Sequence, residues 1–142
     1  MLKGISPLLS PELLKALAQM GHGDELVLGD GNFPGYSHGQ RSISCAGHGV
    51  TALLNAILPL FPLDFMGGSP AILMAVVPGH LKNDPPVWEE YRAAISKFEP
   101  EAEMSAIPRQ DFYDRARKAY LIVETGETAL YGNIILRKGV VV

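Results

Sequence analysis

The stretch at residues 10–30, SPELLKALAQMGHGDELVLGD, passes from a helix pattern directly into a strand pattern. Ser10 suits a helix N-cap and Pro11 the first helical position, where a proline loses no hydrogen bond. The predicted apolar face of this helix comprises Leu13, Leu14, Leu17 and Ala18. Gly21 is a suitable end for the helix, and residues 25–30 follow as a strand that ends in the carboxylate of Asp30. A helix followed at once by an apolar strand predicts an α/β fold.

The rest of the chain continues to alternate between strand and helix patterns. The predicted helices are residues 50–60, a helix opened by Asp84-Pro85 with the stripe Val87, Tyr91, Ile95 and Phe98, and residues 111–119. The predicted strands are residues 42–46, 71–77, 104–107, 120–124 and 131–136. Residues 31–40 read as a polar loop punctuated by glycine and proline. No repeat or linker interrupts the pattern, which predicts a single α/β domain over residues 1–142.

Composition excludes several classes of partner. The net charge is −3, and the Lys and Arg residues are scattered, so a nucleic-acid partner is not expected. No run approaches the roughly 18 apolar residues of a membrane span, and the N-terminal residues lack the apolar core of a signal peptide. Cys45 is the single cysteine, which rules out an intramolecular disulfide and favours a reducing, cytoplasmic setting. We interpret Cys45 as a small apolar strand residue rather than a nucleophile.

Two candidate site residues, His22 and Asp30, flank the first predicted strand. His22 lies between two glycines just past a helix end, where the helix dipole favours a cation by about 0.3–1 kcal/mol. An imidazole there suits general acid–base catalysis, although a capping surface histidine would give the same pattern. Asp30 ends a strand, which is where α/β sheets usually bind ligands, although Asp-Gly also favours an ordinary turn.

Three further residues near the C-terminus could bind a polar ligand. Arg109 lies at or just before a helix start, where the dipole disfavours a cation, so a role beyond helix stability is indicated unless Asp111 pairs with it. Tyr131 and Asn133 are two apart on a predicted strand and would project to one side. Such a pair can hydrogen-bond sugar hydroxyls while the ring covers an apolar sugar face. A half-buried strand tyrosine beside a turn asparagine is the alternative.

Metal and cofactor motifs are not convincing. A metal site built from His22, Asp24, Asp30 and His38 lacks any helical ligand spacing, so no metal is predicted. The glycines around Asp30 do not match the dinucleotide-binding pattern either. Trp88 and Tyr91 are interpreted as core or subunit-contact residues.

Several separate blocks of the sequence resemble one family in the right order. They are LKGISPLLSPELLKALAQMGHGDE at residues 2–25, DGNFP at 30–34, RQDFYDRARKA at 109–119 and TGETALYGNIILRKGV at 125–140. Together they resemble the L-fucose mutarotases over roughly residues 1–140. The related D-ribose pyranases share the Gly-His pair, the strand-end Asp and the Y-x-N-I-I-L block, but usually lack Phe-Pro and differ at Arg109. The chain departs from the fucose pattern at Gly31 and at Gly35-Tyr36, which leaves the preferred sugar open.

The resemblance implies a cofactor-free isomerase that interconverts the α and β anomers of a monosaccharide. It implies a single three-layer domain of the RbsD type, with a mixed, largely parallel sheet flanked by helices. It assigns the general acid to His22, and either Tyr120 or Tyr131 could share the proton transfer. The sugar-binding positions carried over are Asp30, Arg109, Tyr131 and Asn133. The alternatives are a pyranase-type mutarotase for another sugar such as ribose, and a non-catalytic sugar-binding or transport accessory protein.

The spacing between His22 and Asp30 adds one expectation. An extended chain would separate His22 from Asp30 by up to roughly 26 Å, too far for one sugar to touch both. The resemblance implies a ring-shaped homo-oligomer, with a decamer as one possible form, whose sites lie near subunit contacts. We therefore expect the site to combine residues from two subunits.

Overall fold

The computed structural model describes all residues, Met1–Val142. The helices are α1 (Pro11–Gln19), α2 (Gly35–His38), α3 (Val50–Ile57), α4 (Val87–Phe98) and α5 (Arg109–Lys118). The strands are β1 (Glu25–Gly29), β2 (Ser42–Cys45), β3 (Ala71–Met74), β4 (Met104–Ile107), β5 (Leu121–Thr125) and β6 (Ile134–Arg137). None of the helices combines the length and apolarity that crossing a membrane requires.

All six strands form one sheet in the order β2-β5-β1-β6-β3-β4. The pairs β2–β5, β5–β1 and β3–β4 are parallel, whereas β6 runs antiparallel to both β1 and β3. The first five strands therefore share one direction, and their carboxyl ends meet at one edge of the sheet together with the residues that precede β6. The mixed, largely parallel sheet that the resemblance implied is confirmed.

Helices cover both faces of the sheet because its strands are apolar on both sides. Leu26 and Leu28 point into a cluster of 27 buried residues that includes residues of α1, α3 and α4. Val27, between them, points to the other face, into a cluster of nine buried residues that includes Phe112 of α5. The predicted three-layer α/β arrangement is therefore confirmed, and most of the core lies on the α1, α3 and α4 side.

The first helix follows its predicted start but not its predicted face. The Ser10 hydroxyl oxygen accepts a hydrogen bond from the Leu13 N–H at 3.1 Å, as an N-cap does. The buried residues of α1 are Leu13, Ala16 and Leu17, whereas Ala18 is exposed, so its place on the apolar face was wrong. The helix ends at Gln19, and the extended Met20 rather than Gly21 caps it.

Other boundaries move for local reasons. The helix predicted at residues 50–60 ends at Ile57, since Pro59 has no N–H with which to continue the hydrogen-bond ladder. The predicted loop at residues 31–40 contains the single turn of α2. The helix predicted at residues 111–119 starts at Arg109, directly after Pro108.

Candidate active site

A pocket of about 510 Å³ opens at the carboxyl edge of the sheet, where α/β folds usually bind ligands. Its volume lies in the range typical of small-molecule sites. The lining residues come from the ends of β1 and β3 and the segments after them, from α5 and from the turn before β6: Asp30, Asn32, Phe33, Met74, Val77, His80, Arg109, Tyr113, Leu130, Tyr131 and Asn133. The structure thus brings together all four residues predicted to bind a sugar, Asp30, Arg109, Tyr131 and Asn133.

Asp30 is held in place by its neighbours at the end of β1. Its backbone N–H donates to Oδ1 of Asn133 at 2.7 Å, and its own Oδ1 accepts from the Asn32 N–H at 2.9 Å. Burial raises the pKa of Asp30, hydrogen bonds from Asn32 and Asn133 oppose the rise, and the charge of Glu127 adds to it. A carboxylate that is oriented in this way and partly buried is well placed to accept hydrogen bonds from ligand hydroxyls.

Tyr131 lies in a strained turn rather than on the predicted strand. Its φ of +57° is the only positive value at a non-glycine residue, and β6 begins only at Ile134. The turn is fixed from α4, where Trp88 Nε1 donates to the Tyr131 carbonyl at 2.9 Å and the Tyr91 hydroxyl donates to the Gly132 carbonyl at 2.8 Å. Trp88 and Tyr91 are buried, which confirms their assignment to the core. Left-handed backbone at such a residue persists only where its surroundings impose it.

Replacing Tyr91 with phenylalanine should loosen this turn. Burial raises the pKa of Tyr91 strongly, so its hydroxyl stays protonated and donates. Without it the buried Gly132 carbonyl has lost its partner, which should lower the free energy of unfolding by about 1–3 kcal/mol. Urea denaturation measures the change. Tyr36→Phe is the matched control, because Tyr36 is exposed, and an equal loss in both variants would contradict the role given to Tyr91.

Arg109 presents an unpaired cation to the pocket. It is the first residue of α5, and none of the ion pairs in the chain involves it, so the predicted alternative of a pair with Asp111 was wrong. Its guanidinium carbon lies 5.4 Å from the centre of the Tyr113 ring, and Nη2 is 3.5 Å from the Tyr113 hydroxyl. The hydrogen bond to Tyr113 raises the pKa of Arg109, which keeps it charged. Tyr113 in turn stacks on Phe33 with ring centres 5.6 Å apart.

Sequence reasoning missed two residues of this pocket. His80 was not selected as a candidate, yet its Nδ1 lies 2.5 Å from the Tyr131 hydroxyl. The available signal was its position shortly after a buried strand, the same argument that selected Asp30. Tyr113 was missed although it lies four residues after Arg109, the spacing that places two side chains on one helix face.

His22 and Tyr120 lie at the opposite edge of the sheet. His22 precedes β1 and Tyr120 precedes β5, whereas the pocket lies beyond the ends of these strands. The Tyr120 hydroxyl donates to Oε1 of Gln19 at 3.1 Å, and the guanidinium of Arg41 lies 4.2 Å from the centre of its ring. A single chain therefore does not bring His22 or Tyr120 to the pocket.

His22 instead contacts a carboxylate that sequence reasoning did not identify. Its Nε2 lies 3.5 Å from Oδ2 of Asp64, and Nε of Arg137 lies 3.1 Å from the same oxygen. A hydrogen bond from the Met66 N–H is the largest cause that lowers the pKa of Asp64, with His22 and Arg137 adding to it. Asp64 is nearly buried, while His22 is half exposed and free to meet a ligand or a second chain.

The lowered pKa of Asp64 predicts a pH dependence of stability. The pKa of Asp64 is lower in the folded protein than in the unfolded chain. The stabilisation by its ionised carboxylate is therefore fully present above the unfolded pKa and is lost as the pH falls through the folded pKa. As the pH falls from about 5 to about 2, the free energy of unfolding of the Asp64→Asn variant should therefore decrease less than that of the unsubstituted protein. Urea denaturation across that range tests this. Asp84→Asn, on the exposed loop before α4, should keep the original slope, and parallel slopes for all three proteins would refute the prediction.

Neither metal ligands nor a reactive thiol emerge from the side-chain arrangement. No group of three or more His, Cys, Asp or Glu side chains converges, so His22, Asp24, Asp30 and His38 do not form a ligand cluster. Cys45 lies at the end of β2, and burial raises the pKa of its thiol, which disfavours the thiolate that a nucleophile requires.

The chain is similar to known proteins along almost its whole length. The model of the RbsD / FucU transport protein family matches residues 3–141. The fucose mutarotase of Homo sapiens is 51% identical over 144 positions, which cover 98% of this chain and 94% of that protein. The fucose mutarotase of Streptococcus pneumoniae, solved in complex with L-fucose, has a TM-score of 0.93 and 46% identity and covers 99% of this chain and 100% of its own. Bacillus subtilis RbsD complexed with D-ribose covers both chains fully at a TM-score of 0.73, but its 21% identity supports the fold alone.

Proposed function

The chain belongs to the RbsD / FucU transport protein family, and from this premise we propose that it is a mutarotase that interconverts the α and β anomers of L-fucose. The resemblance found in the sequence is thereby confirmed at the level of the family. A human fucose mutarotase at 51% identity and a bacterial one solved with L-fucose support this sugar over D-ribose. The substrate is accordingly a monosaccharide, and the reaction is an isomerisation.

The observation that carries the proposal is the composition of the pocket at the carboxyl edge of the sheet. Asp30 supplies a carboxylate acceptor and Asn133 an amide, and the Asp30 backbone N–H donates to Oδ1 of Asn133 at 2.7 Å. Arg109 supplies a cation with no carboxylate partner. The stacked rings of Phe33 and Tyr113 supply an apolar wall. Polar groups of both kinds beside an aromatic surface match a sugar, which carries hydroxyls around its edge and C–H groups on its faces.

Anomer exchange needs only proton transfers. A base removes the proton of the anomeric hydroxyl while an acid protonates the ring oxygen, and the ring C–O bond breaks. The aldehyde rotates, and closure on its other face gives the other anomer. In this assignment Asp30, Asn133 and Arg109 bind the hydroxyls, and Arg109 also stabilises negative charge on the opening hemiacetal. His22 is the general acid.

His22 reaches the pocket from a neighbouring copy of the chain. The five-residue strand β1 separates the two edges of the sheet by roughly 16 Å within one chain. Exposed apolar residues accompany both edges: Phe65 and Met66 follow the Asp64 that contacts His22, and Val77 and Leu130 line the pocket. Contact between these two different surfaces would cover both and bring His22 to the sugar.

Such a contact between unlike surfaces closes into a ring when the rotation between copies permits it. We therefore propose a ring-shaped homo-oligomer that works in the cytoplasm, consistent with a single cysteine and no possible intramolecular disulfide. Tyr120 would enter the same assembled site from the edge that carries His22, and it stays a prediction as a second proton-transfer group.

Magnetisation-transfer NMR separates this function from its alternatives. The protein should speed exchange between the α and β signals of L-fucose in proportion to its concentration, and more strongly than for D-ribose or D-galactose. A faster exchange of D-ribose than of L-fucose would identify a pyranase-type enzyme. Broadened sugar signals with exchange at the rate found in buffer would identify a sugar-binding protein without activity.

A further inference from the structure

Two groups from the loop after β3 hold the hydroxyl of Tyr131. The Val77 N–H donates to the phenol oxygen at 3.3 Å, and Nδ1 of His80 lies 2.5 Å from the same oxygen. The two rings meet edge to face, with centres 5.4 Å apart. All three residues line the pocket, so this cluster lies where the sugar is proposed to bind.

The direction of the phenol proton follows from which nitrogen of His80 carries the imidazole proton. A phenol has one proton and two acceptor positions. The Val77 N–H can only donate, and it occupies one acceptor position of the phenol oxygen. When the proton of the neutral imidazole is on Nε2, Nδ1 accepts the phenol proton. The remaining acceptor position of the Tyr131 oxygen is then open to a sugar hydroxyl.

We propose that His80 is a positioning residue that orients the Tyr131 hydroxyl and accepts its proton, which makes the phenol oxygen the base of the reaction. This inference rests on the proposed mutarotase function. As the ring opens, the anomeric hydroxyl proton passes to the Tyr131 oxygen and the phenol proton passes to Nδ1 of His80. The anomeric C–O bond to the ring oxygen breaks, and the acid supplies the proton that this oxygen takes up. Ring closure reverses each transfer, so no proton is gained or lost.

The backbone of the site favours this role over an accidental contact. Tyr131 adopts its left-handed conformation although a strand or an ordinary turn would cost less. Hydrogen bonds from Trp88 and Tyr91 hold the backbone on one side, and the Val77–His80 loop holds the hydroxyl on the other. The phenol is therefore constrained at both ends, as expected of a side chain that must meet a reacting atom.

Substitution of His80 separates orientation from proton acceptance. His80→Ala should lower kcat for L-fucose exchange roughly tenfold and raise KM, because the hydroxyl loses both its direction and its proton acceptor. His80→Asn places an amide near the position of Nδ1, so it should restore KM but not kcat. His48→Ala, an exposed histidine outside the pocket, should leave both unchanged. An unchanged kcat in His80→Ala, or a kcat fully restored in His80→Asn, would overturn the inference.

A double-mutant cycle tests whether His80 acts through Tyr131. In a Tyr131→Phe background there is no hydroxyl to direct, so adding His80→Ala should change kcat by less than about twofold. Effects that multiply instead would show that His80 acts independently and would overturn the proposal. If the unsubstituted protein does not accelerate exchange, the mutarotase function itself fails. Acceleration that is insensitive to His80 removes only the present inference.

Discussion

Replacing His22 with alanine should lower the rate of L-fucose anomer exchange by about 10²–10⁴-fold, the usual contribution of a positioned general acid. The ring oxygen would then have to take its proton from water. The folded structure should remain, because His22 is half exposed and Asp64 keeps its contact with Arg137. Magnetisation-transfer NMR gives the rate, and urea denaturation gives the stability.

The control for this variant is His48→Ala, which removes an exposed imidazole outside the pocket and away from Asp64. It should exchange L-fucose at the original rate. If His22→Ala retains that rate too, while its fold and its oligomeric state are intact, the assignment of the acid to His22 is wrong and another group must protonate the ring oxygen.

Replacing Asp30 with asparagine should raise KM for L-fucose roughly 10–100-fold, since a hydrogen bond to a charged group contributes about 1.5–3 kcal/mol. The same change should not reduce stability. Burial raises the pKa of Asp30, so the ionised carboxylate destabilises the fold, and this cost grows as the pH rises through the folded pKa. Asparagine keeps an acceptor for the Asn32 N–H but carries no charge, so the free energy of unfolding at pH 7 should stay equal or increase.

A raised KM without a loss of unfolding free energy in Asp30→Asn distinguishes a binding residue from an ordinary turn residue. Asp84→Asn, in an exposed loop outside the pocket, should change neither KM nor the unfolding free energy. A large loss of stability in Asp30→Asn with an unchanged KM would support the turn interpretation and remove Asp30 from the site.

Local signals were sufficient for much of the fold, and the family resemblance was needed to assign the sugar-binding residues. Ser10 and Pro11 marked a helix start that the structure keeps. Asp30 and Arg109 each lie near the carboxyl end of a strand, and parallel strands bring such positions to one edge of the sheet. The family resemblance grouped these two residues, 79 positions apart, and the shared edge is the physical reason that they meet.

The parts that sequence reasoning missed depend on contacts between distant residues. Tyr131 was assigned to a strand because the apolar run after it has strand character, but hydrogen bonds from Trp88 and Tyr91, more than 40 positions earlier in the chain, impose a turn. The role proposed for His80 depends on its contact with the Tyr131 hydroxyl, 51 positions later in the chain. Nothing local marks Asp64 either, because its partner His22 belongs to another part of the chain.

His22 lies away from the pocket of its own chain, so the central claim is that each catalytic site is shared between two copies. One measurement tests this claim directly. His22→Ala and Asp30→Asn chains are co-refolded in equal amounts, and exchange of L-fucose anomers is followed by magnetisation-transfer NMR. The L-fucose concentration is kept well below the KM of the unsubstituted protein, where the raised KM of Asp30→Asn lowers the exchange rate in proportion. If each site takes Asp30 from one copy and His22 from the next, about a quarter of the sites in mixed rings are intact, and about a quarter of the original activity should return. If both residues of a site came from one chain, every site would carry a defect. Activity no higher than the mean of the two separate variants would contradict the shared site.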